Sequence, residues 1–405
     1  MKNLAIILTI FSFAIILRIF DFQNRINFGP EQAISLLTSA GYLLKPTLLG
    51  QPYYHQTSTG LIMFYGPQFN YILVPFLLIF KFNPVPITFL FTILNLVTAV
   101  VIYWLSKKIS NSKVAIIATI FFVFNSTMIN HSFFIWGLHF FPIMGFVSFY
   151  LLTKYKFSRH QNIISVIVGL VTGFGVSLEY PYAVYGLITF ISILFLSRKK
   201  LMSGLVFLVG CAVGDLPMIL FDLRHNFYYT QVLLHYFQDQ QSRLTHTLDY
   251  FHFLPIWGIA CFLLALVVYR FNKIILATFI TTYLFINLSQ ISLSSPIGTP
   301  PELNYPKLNQ VASAISSDSP INFNIAALQD FDTQAHPLRY LLQYVYKKTP
   351  QSIDQYSNIA SLYVFTSSEE RLKNPNVYEL SSFYPYKIML LKKIDNINSV
   401  YKLNK

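Results

Sequence analysis

Charge is what this sequence has least of. Asp, Glu, Lys and Arg make up only 11% of its 405 residues, less than half the roughly 25% usual in soluble domains. So little charge cannot keep a chain disordered or cover a soluble globule. Cysteine is nearly absent as well: Cys211 and Cys261 each sit inside an apolar run, which excludes a disulfide scaffold or a cysteine-held metal. No Gly-rich phosphate loop and no HExxH zinc pattern occurs, nor any internal repeat or low-complexity tract. Acid is scarcest of all. Residues 1–300 hold seven carboxylates, at Asp21, Glu31, Glu179, Asp215, Asp222, Asp239 and Asp249. The net charge of +13 is therefore not a nucleic-acid surface, and no nucleic-acid partner is expected.

What the chain does have is apolar length. Hydrophobic residues make up 54% and aromatics 17%, with a mean hydropathy of +0.51. Apolar runs fall at about 4–20, 62–81, 85–106, 114–132, 138–153, 162–178, 183–197, 201–221, 252–269 and 274–291. Many approach the about 17–25 residues that cross a bilayer as a helix. Acid-free basic clusters separate them: Lys107/Lys108/Lys113, Lys154/Lys156/Arg159, Arg198/Lys199/Lys200 and Arg270/Lys273. The excess of Lys and Arg in cytoplasmic loops puts these clusters inside and the acids near or beyond the opposite face. Lys2 ahead of the first run resembles a signal peptide, yet Arg18 and Asp21 follow with no small-residue cleavage site, so a retained helix is expected. One step of the alternation fails. Full crossings at both 62–81 and 85–106 would place Lys107 outside, so one segment is re-entrant or interfacial, or the positive-inside rule breaks there.

The composition changes near residue 292. Residues 301–405 carry nine acids and eleven basic residues. An amphipathic stretch at 304–317, a β-like run 321–327, a helix-like run 336–346 and strand-like 361–366 and 386–392 predict a small α/β domain. The expected fold is a mainly α polytopic membrane protein with about 9–10 transmembrane or membrane-embedded helices over 1–292, a first extracytoplasmic loop at about 21–60, and a small C-terminal extracytoplasmic α/β domain over 293–405. Its expected place is the plasma membrane, with the active site on the extracytoplasmic face.

Ionisable groups at membrane depth are costly and point to function. Glu31 follows Pro30 at the start of a helix-like stretch, where a carboxylate faces the positive end of the helix dipole. It serves either as a cap or as a reacting group. Asp222, Arg224 and His225 end a long apolar run that also contains Pro217. Arg224 and His225 could hold a phosphate at the membrane surface, or Asp222 and Arg224 could merely anchor the helix end. His139 and Glu179 mark two other predicted outer helix ends. Tyr53, Tyr54 and His55 open a polar aromatic loop able to stack on a sugar, or to anchor in the interface like most of the 39 Phe and 27 Tyr. The Asn-x-Ser/Thr tripeptides at Asn125, Asn130 and Asn287 fall within or near apolar runs and read as chance.

The passages Phe28-Gly-Pro-Glu-Gln-Ala33, Phe64-Tyr-Gly-Pro67 with Tyr71-Ile-Leu-Val-Pro75, and Pro217 to Phe227 resemble the GT-C glycosyltransferases. The likeness is to protein O-mannosyltransferases and the aminoarabinose transferase of lipid A, over roughly residues 1–290. That family usually carries Asp where this chain has Glu31. The resemblance implies a hexosyl- or pentosyl-type transferase taking its sugar from a polyprenyl-phosphate donor to a glycan, lipid or protein hydroxyl. Glu31 would be the base and Arg224, with His225, would face the phosphate; no metal or cofactor is demanded. A lipid-linked glycan flippase or transporter, a glycan polymerase or ligase, and an inactive relative are the alternatives.

Overall fold

Backbone in lipid must satisfy its own hydrogen bonds, which leaves helices as the natural form of an apolar run. Each predicted run contains a helix in the computed structural model, which describes residues 2–56, 61–241, 250–293, 304–318, 322–329, 332–373 and 375–405. The bundle is built from α1 (Lys2–Ile19), α5 (Pro84–Ile109), α6 (Ser112–Val123), α8 (Phe141–Tyr155), α9 (Gln161–Leu178), α10 (Tyr182–Leu196), α11 (Lys200–Gly214), α14 (Leu254–Val268) and α15 (Lys273–Ser289). Between them lie α2 (Phe22–Arg25), α3 (Pro30–Gly41), α4 (Gln68–Ile79), α7 (Ser126–His131), α12 (Leu216–Arg224) and α13 (Tyr228–Gln241). Among the described residues, three helical stretches are long and apolar enough to cross a membrane alone: Pro84–Ile109, Gln161–Leu178 and Tyr250–Val268. The α11–α12 pair also qualifies but is bent by 76°. Leu8, Phe195, Leu201 and Ile274 stand exposed on the helices, an apolar girdle far beyond what a soluble monomer shows. This is a multi-pass membrane protein.

With acid so scarce, helix ends are served by neutral and cationic groups. Asn83, Asn111, Asn125 and Asn272 cap α5, α6, α7 and α15 by accepting from backbone N–H groups, each cap contributing about 1 kcal/mol. At the opposite ends stand two buried guanidiniums. Arg18 donates to the Val123 carbonyl closing α6 at 3.0 Å and to Asn95 Oδ1 at 2.9 Å. Arg25 donates to the Leu17 and Phe20 carbonyls that end α1 and lies 4.1 Å over the Phe133 ring. Cations suit helix C-termini, where the dipole is negative. Asn125 and Asn287, taken as incidental tripeptides from sequence, have structural work: Asn287 Oδ1 accepts from Ser126 N at 2.9 Å and from Asn125 at 3.3 Å, pinning α15 to the start of α7.

The crossing of α9 and α11 is glycine on glycine. A Cβ on Gly173 of α9 would lie 2.0 Å from the Cys211 carbonyl, and one on Gly214 of α11 would lie 2.3 Å from the Leu170 carbonyl. Gly169 and Gly210 complete a reciprocal pair of small-xxx-small stripes that lets the two backbones touch. This crossing sets the C-terminal ends of α9 and α11 side by side.

The conflict between 62 and 106 is resolved by α4, which starts and stops at the same end of the bundle. Just ahead of it, Gly66 N donates to the Ser177 carbonyl at 2.8 Å, and Gln68 Nε2 to the Gly214 carbonyl at 3.1 Å, so it begins beside the C-terminal ends of α9 and α11. Past its other end, Phe82 stacks on Tyr344 with ring centroids 4.9 Å apart and accepts at its carbonyl from the Tyr340 hydroxyl at 2.8 Å. Both tyrosines belong to the C-terminal domain. With both of its ends held there, α4 lies along the end of the bundle.

That domain has α16 (Tyr305–Asp318), β3 (Phe323–Ala327), α17 (His336–Tyr340), β4 (Ser361–Thr366), β5 (Lys387–Lys393) and β6 (Ser399–Asn404). The sheet order is β3-β4-β6-β5, with β3 and β4 parallel and the other pairs antiparallel. The predicted amphipathic stretch is α16, and β3, β4 and β5 match the predicted strands; β6 adds a strand that sequence alternation does not suggest. A small hairpin, β1 (Pro52–Gln56) with β2 (Ile62–Phe64), joins the end of the expected first loop to the start of the 62–81 run. The domain docks through α17 on α3 and through Phe28, whose ring centroid lies 6.1 Å from Tyr305 and 5.8 Å from Tyr340.

Candidate active site

Glu31 stands in the first turn of α3, behind extended Gly29 and with Pro30 opening the helix. Its side chain is open to solvent, yet the surrounding walls remove enough water to raise its carboxyl above the ordinary range. The turn is held firmly. The Ser35 hydroxyl meets the Glu31 carbonyl at 2.9 Å and the side-chain oxygen of Gln51. Asn70 of α4 donates to the Ser35 carbonyl at 3.0 Å and to Ser39 Oγ at 3.1 Å.

Glu179 terminates α9 and is buried. Burial pushes its carboxyl up to about 8; the Tyr65 hydroxyl hydrogen-bonds to it and pulls the other way, while the Glu31 charge adds to the rise. The two acids, 148 positions apart in the chain, are thus electrostatic neighbours. Tyr65 also stacks on Tyr180 with centroids 5.9 Å apart and planes 15° from parallel, and Tyr180 leads on to Tyr229 at 5.9 Å. The Tyr180 hydroxyl donates to the Phe64 carbonyl, fastening the hairpin to the α9–α10 turn.

Asp215 sits at the α11–α12 break beside the Ser177 hydroxyl, with its Oδ1 buried and unpartnered among the described residues. Below it opens an apolar groove of about 560 Å³ between α9, α10 and α11, lined by Gly173, Val176, Leu187 and Leu208 among others. Asp222 is buried and spent on structure: its carboxylate caps α13, accepting from Tyr229 N at 2.7 Å, Thr230 N at 3.2 Å and the Thr230 hydroxyl. The expected Asp222–Arg224 anchor does not form, because those oxygens already have backbone partners. Arg224 and His225 are exposed. His225 lies on the Phe221 ring with centroids 4.1 Å apart, its Nδ1 2.8 Å from the Phe221 carbonyl. Asn226 and Phe227 follow in left-handed backbone, with φ of 52° and 58°.

Two groups emerge at one end of the bundle, Glu31 with Glu179, and Arg224 with His225. The hairpin spans from one to the other. Gly50 N donates to the Tyr65 carbonyl at 2.8 Å on the acidic side, and the Tyr228 hydroxyl lies 3.3 Å from both the N and O of Ile62 on the basic side.

A family model described as dolichyl-phosphate-mannose-protein mannosyltransferase matches residues 65–220. Crystal structures of ArnT from Cupriavidus metallidurans share the fold. The form bound to undecaprenyl phosphate has a TM-score of 0.62 at 9% identity, covering 98% of this chain and 97% of that one. The apo form has a TM-score of 0.58 at 8% identity, covering 99% and 98%. No curated protein matches its sequence. The matched stretch contains Tyr65, Glu179 and Asp215 but neither Glu31 nor Arg224, so those two rest on geometry.

Other expected site residues fall elsewhere. His139 is not at an open helix end; it is buried in a loop core, its Nε2 3.0 Å from the Phe134 carbonyl and its ring 4.2 Å from that of His131. Burial holds both imidazoles neutral, His131 down at about 3. Tyr54 and His55 lie in β1, and their side chains fall outside the described ones, as do residues 57–60 altogether. Among the described residues no cluster of three or more His, Cys, Asp or Glu could hold a metal ion. Sequence reasoning passed over Tyr65 and named Asp215 only among the scarce carboxylates; the signal for Tyr65 was available in the Phe64-Tyr-Gly-Pro67 passage.

Proposed function

We propose that this chain is an integral-membrane inverting glycosyltransferase that moves a sugar from a polyprenyl-phosphate donor to an extracytoplasmic acceptor hydroxyl. The observation that carries the reading is the placement, at one end of the bundle, of a solvent-facing carboxylate with raised basicity and an exposed guanidinium that forms no ion pair among the described residues. Glu31 takes the proton of the acceptor hydroxyl, whose oxygen bonds to the anomeric carbon with inversion. The bond from that carbon to the phosphate oxygen breaks, and the electron pair leaves with the phosphate. Arg224 and His225 hold the donor's phosphate; a forked guanidinium suits that task. The groove below Asp215 has the apolar lining and the volume to accept part of a polyprenyl tail.

The extracytoplasmic placement is supported by charge. The ends of the bundle remote from the C-terminal domain carry Lys107/Lys108, Lys154/Lys156 and Lys199/Lys200, and with α4 lying flat the chain alternates with every basic cluster inside. The break at Asp215 above an apolar groove is the feature that favours a lipid-linked glycan transporter instead. Purified protein in vesicles separates the two. Glu31→Gln and Glu31→Ala should lower sugar transfer by roughly a hundredfold or more; unchanged turnover in both removes Glu31 from the mechanism, and lipid flux without glycosylated product supports the transporter.

A further inference from the structure

Glu179 is a buried carboxyl for which general-base chemistry at Glu31 has no use. It forms one wall of a small polar cavity shared with Gln51, Tyr65, Asn70 and Trp136. Those polar walls lead back to the turn that carries Glu31. Gln51 and Asn70 both bond to Ser35, whose hydroxyl touches the Glu31 carbonyl at 2.9 Å. The Tyr65 hydroxyl hydrogen-bonds to Glu179 and the Glu31 carboxylate acts on it through its charge; Tyr180 and Tyr229 lie close enough to feel the charges of both Glu179 and Asp215. Among the described residues no Lys, Arg or His forms an ion pair with either acid. Two neighbouring carboxylates with no cation between them cannot both ionise without cost.

We propose that Glu179 is a positioning residue for the transfer, working with Glu31 as one proton-sharing pair across the polar cavity. The proposal rests on Glu31 being the base. In the resting enzyme the more deeply buried Glu179 holds the proton and the more exposed Glu31 carries the charge, so the pair presents a single negative charge to an anionic donor. During transfer the acceptor O–H bond breaks and its proton goes to Glu31. The pair then holds two protons and returns one to water before the next cycle. Because the carboxyl of Glu179 is raised to about 8, it is neutral below that pH and charged above it. Above pH 8 the pair carries two charges, and a second like charge weakens binding of a phosphate donor.

The test is the pH dependence of donor KM, measured separately from kcat, for the full-length protein in lipid nanodiscs with a polyprenyl-phosphate sugar. In the unmodified protein donor KM should rise roughly fivefold between pH 7 and 9.5, with a midpoint near 8. Glu179→Gln should abolish that rise. Tyr65→Phe removes the hydrogen bond that favours ionised Glu179, so its midpoint should move to higher pH; this variant carries the test if Glu179→Gln does not fold. A flat KM in the unmodified protein, an unaltered rise in Glu179→Gln, or an unmoved midpoint in Tyr65→Phe overturns the pair. Failure of the underlying reading looks different: Glu31→Gln would turn over normally whatever the alkaline behaviour.

Discussion

The two sides of the candidate site are built in opposite ways. Glu31 and Glu179 are fixed by a web running through Ser35, Gln51, Asn70 and Tyr65, reaching three helices and the hairpin. Arg224 and His225 stand exposed on a short turn, tethered by the Asp222 cap and one tyrosine contact to β2. A proton-transfer group gains from being preorganised, because a base must already lie within reach of the hydroxyl it deprotonates. A group that receives a lipid headgroup from the membrane gains from staying open. What joins the two sides is the α9–α11 crossing, since α9 ends in Glu179 and α11 leads into the Asp222–Arg224 turn.

The harshest way to break the contrast is to separate the helices that join its halves. Gly173→Leu places a side chain where even a Cβ would lie 2.0 Å from a carbonyl, and overpacking of this kind costs about 3 kcal/mol or more. Loss of a monodisperse peak in detergent is the expected result; a well-folded, active variant would show that the backbones need not touch. A milder change sharpens the contrast from the basic side. Arg224→Ala should raise donor KM roughly tenfold with kcat little altered, as removal of a charge-assisted hydrogen bond predicts. Smaller still is Asp222→Ala, which removes a cap worth about 1 kcal/mol and should raise donor KM severalfold by loosening the turn. Asp222→Asn, which keeps an accepting oxygen, should recover most of that loss. If the Ala variants lower kcat while KM stays put, the basic turn serves the chemistry rather than the donor.

How much of this was legible beforehand depends on the range over which each feature is encoded. Apolar runs are local, and the bundle helices follow the predicted segments with ends shifted by a few residues, the basic clusters lying at one set of ends. Glu31 stood out because acid is scarce and Pro30 marks a helix start. The flat course of α4 was not legible, because its Gln68–Ile79 run is as apolar as a crossing helix; only contacts with Gly214 at its start and Tyr340 past its end exclude a crossing. Tyr65 and Glu179 lie more than a hundred positions apart, and nothing near either announces the other. His139 misled because a histidine at a helix end looks the same in sequence whether it faces a cleft or, as here, a second imidazole and a carbonyl. The glycines at 169, 173, 210 and 214 were in plain view, with the four-residue spacing that allows close helix approach.

Sidedness joined to ligand protection tests the whole arrangement most directly. Single cysteines at Glu31→Cys, Arg224→Cys and Lys107→Cys, in a background with Cys211 and Cys261 replaced by alanine, can be exposed to a membrane-impermeant maleimide in intact cells. Positions 31 and 224 should label from outside, position 107 only after permeabilisation, and a polyprenyl-phosphate sugar added to isolated membranes should protect both 31 and 224. Labelling of 31 and 224 from opposite sides, or protection of one without the other, contradicts a shared donor site.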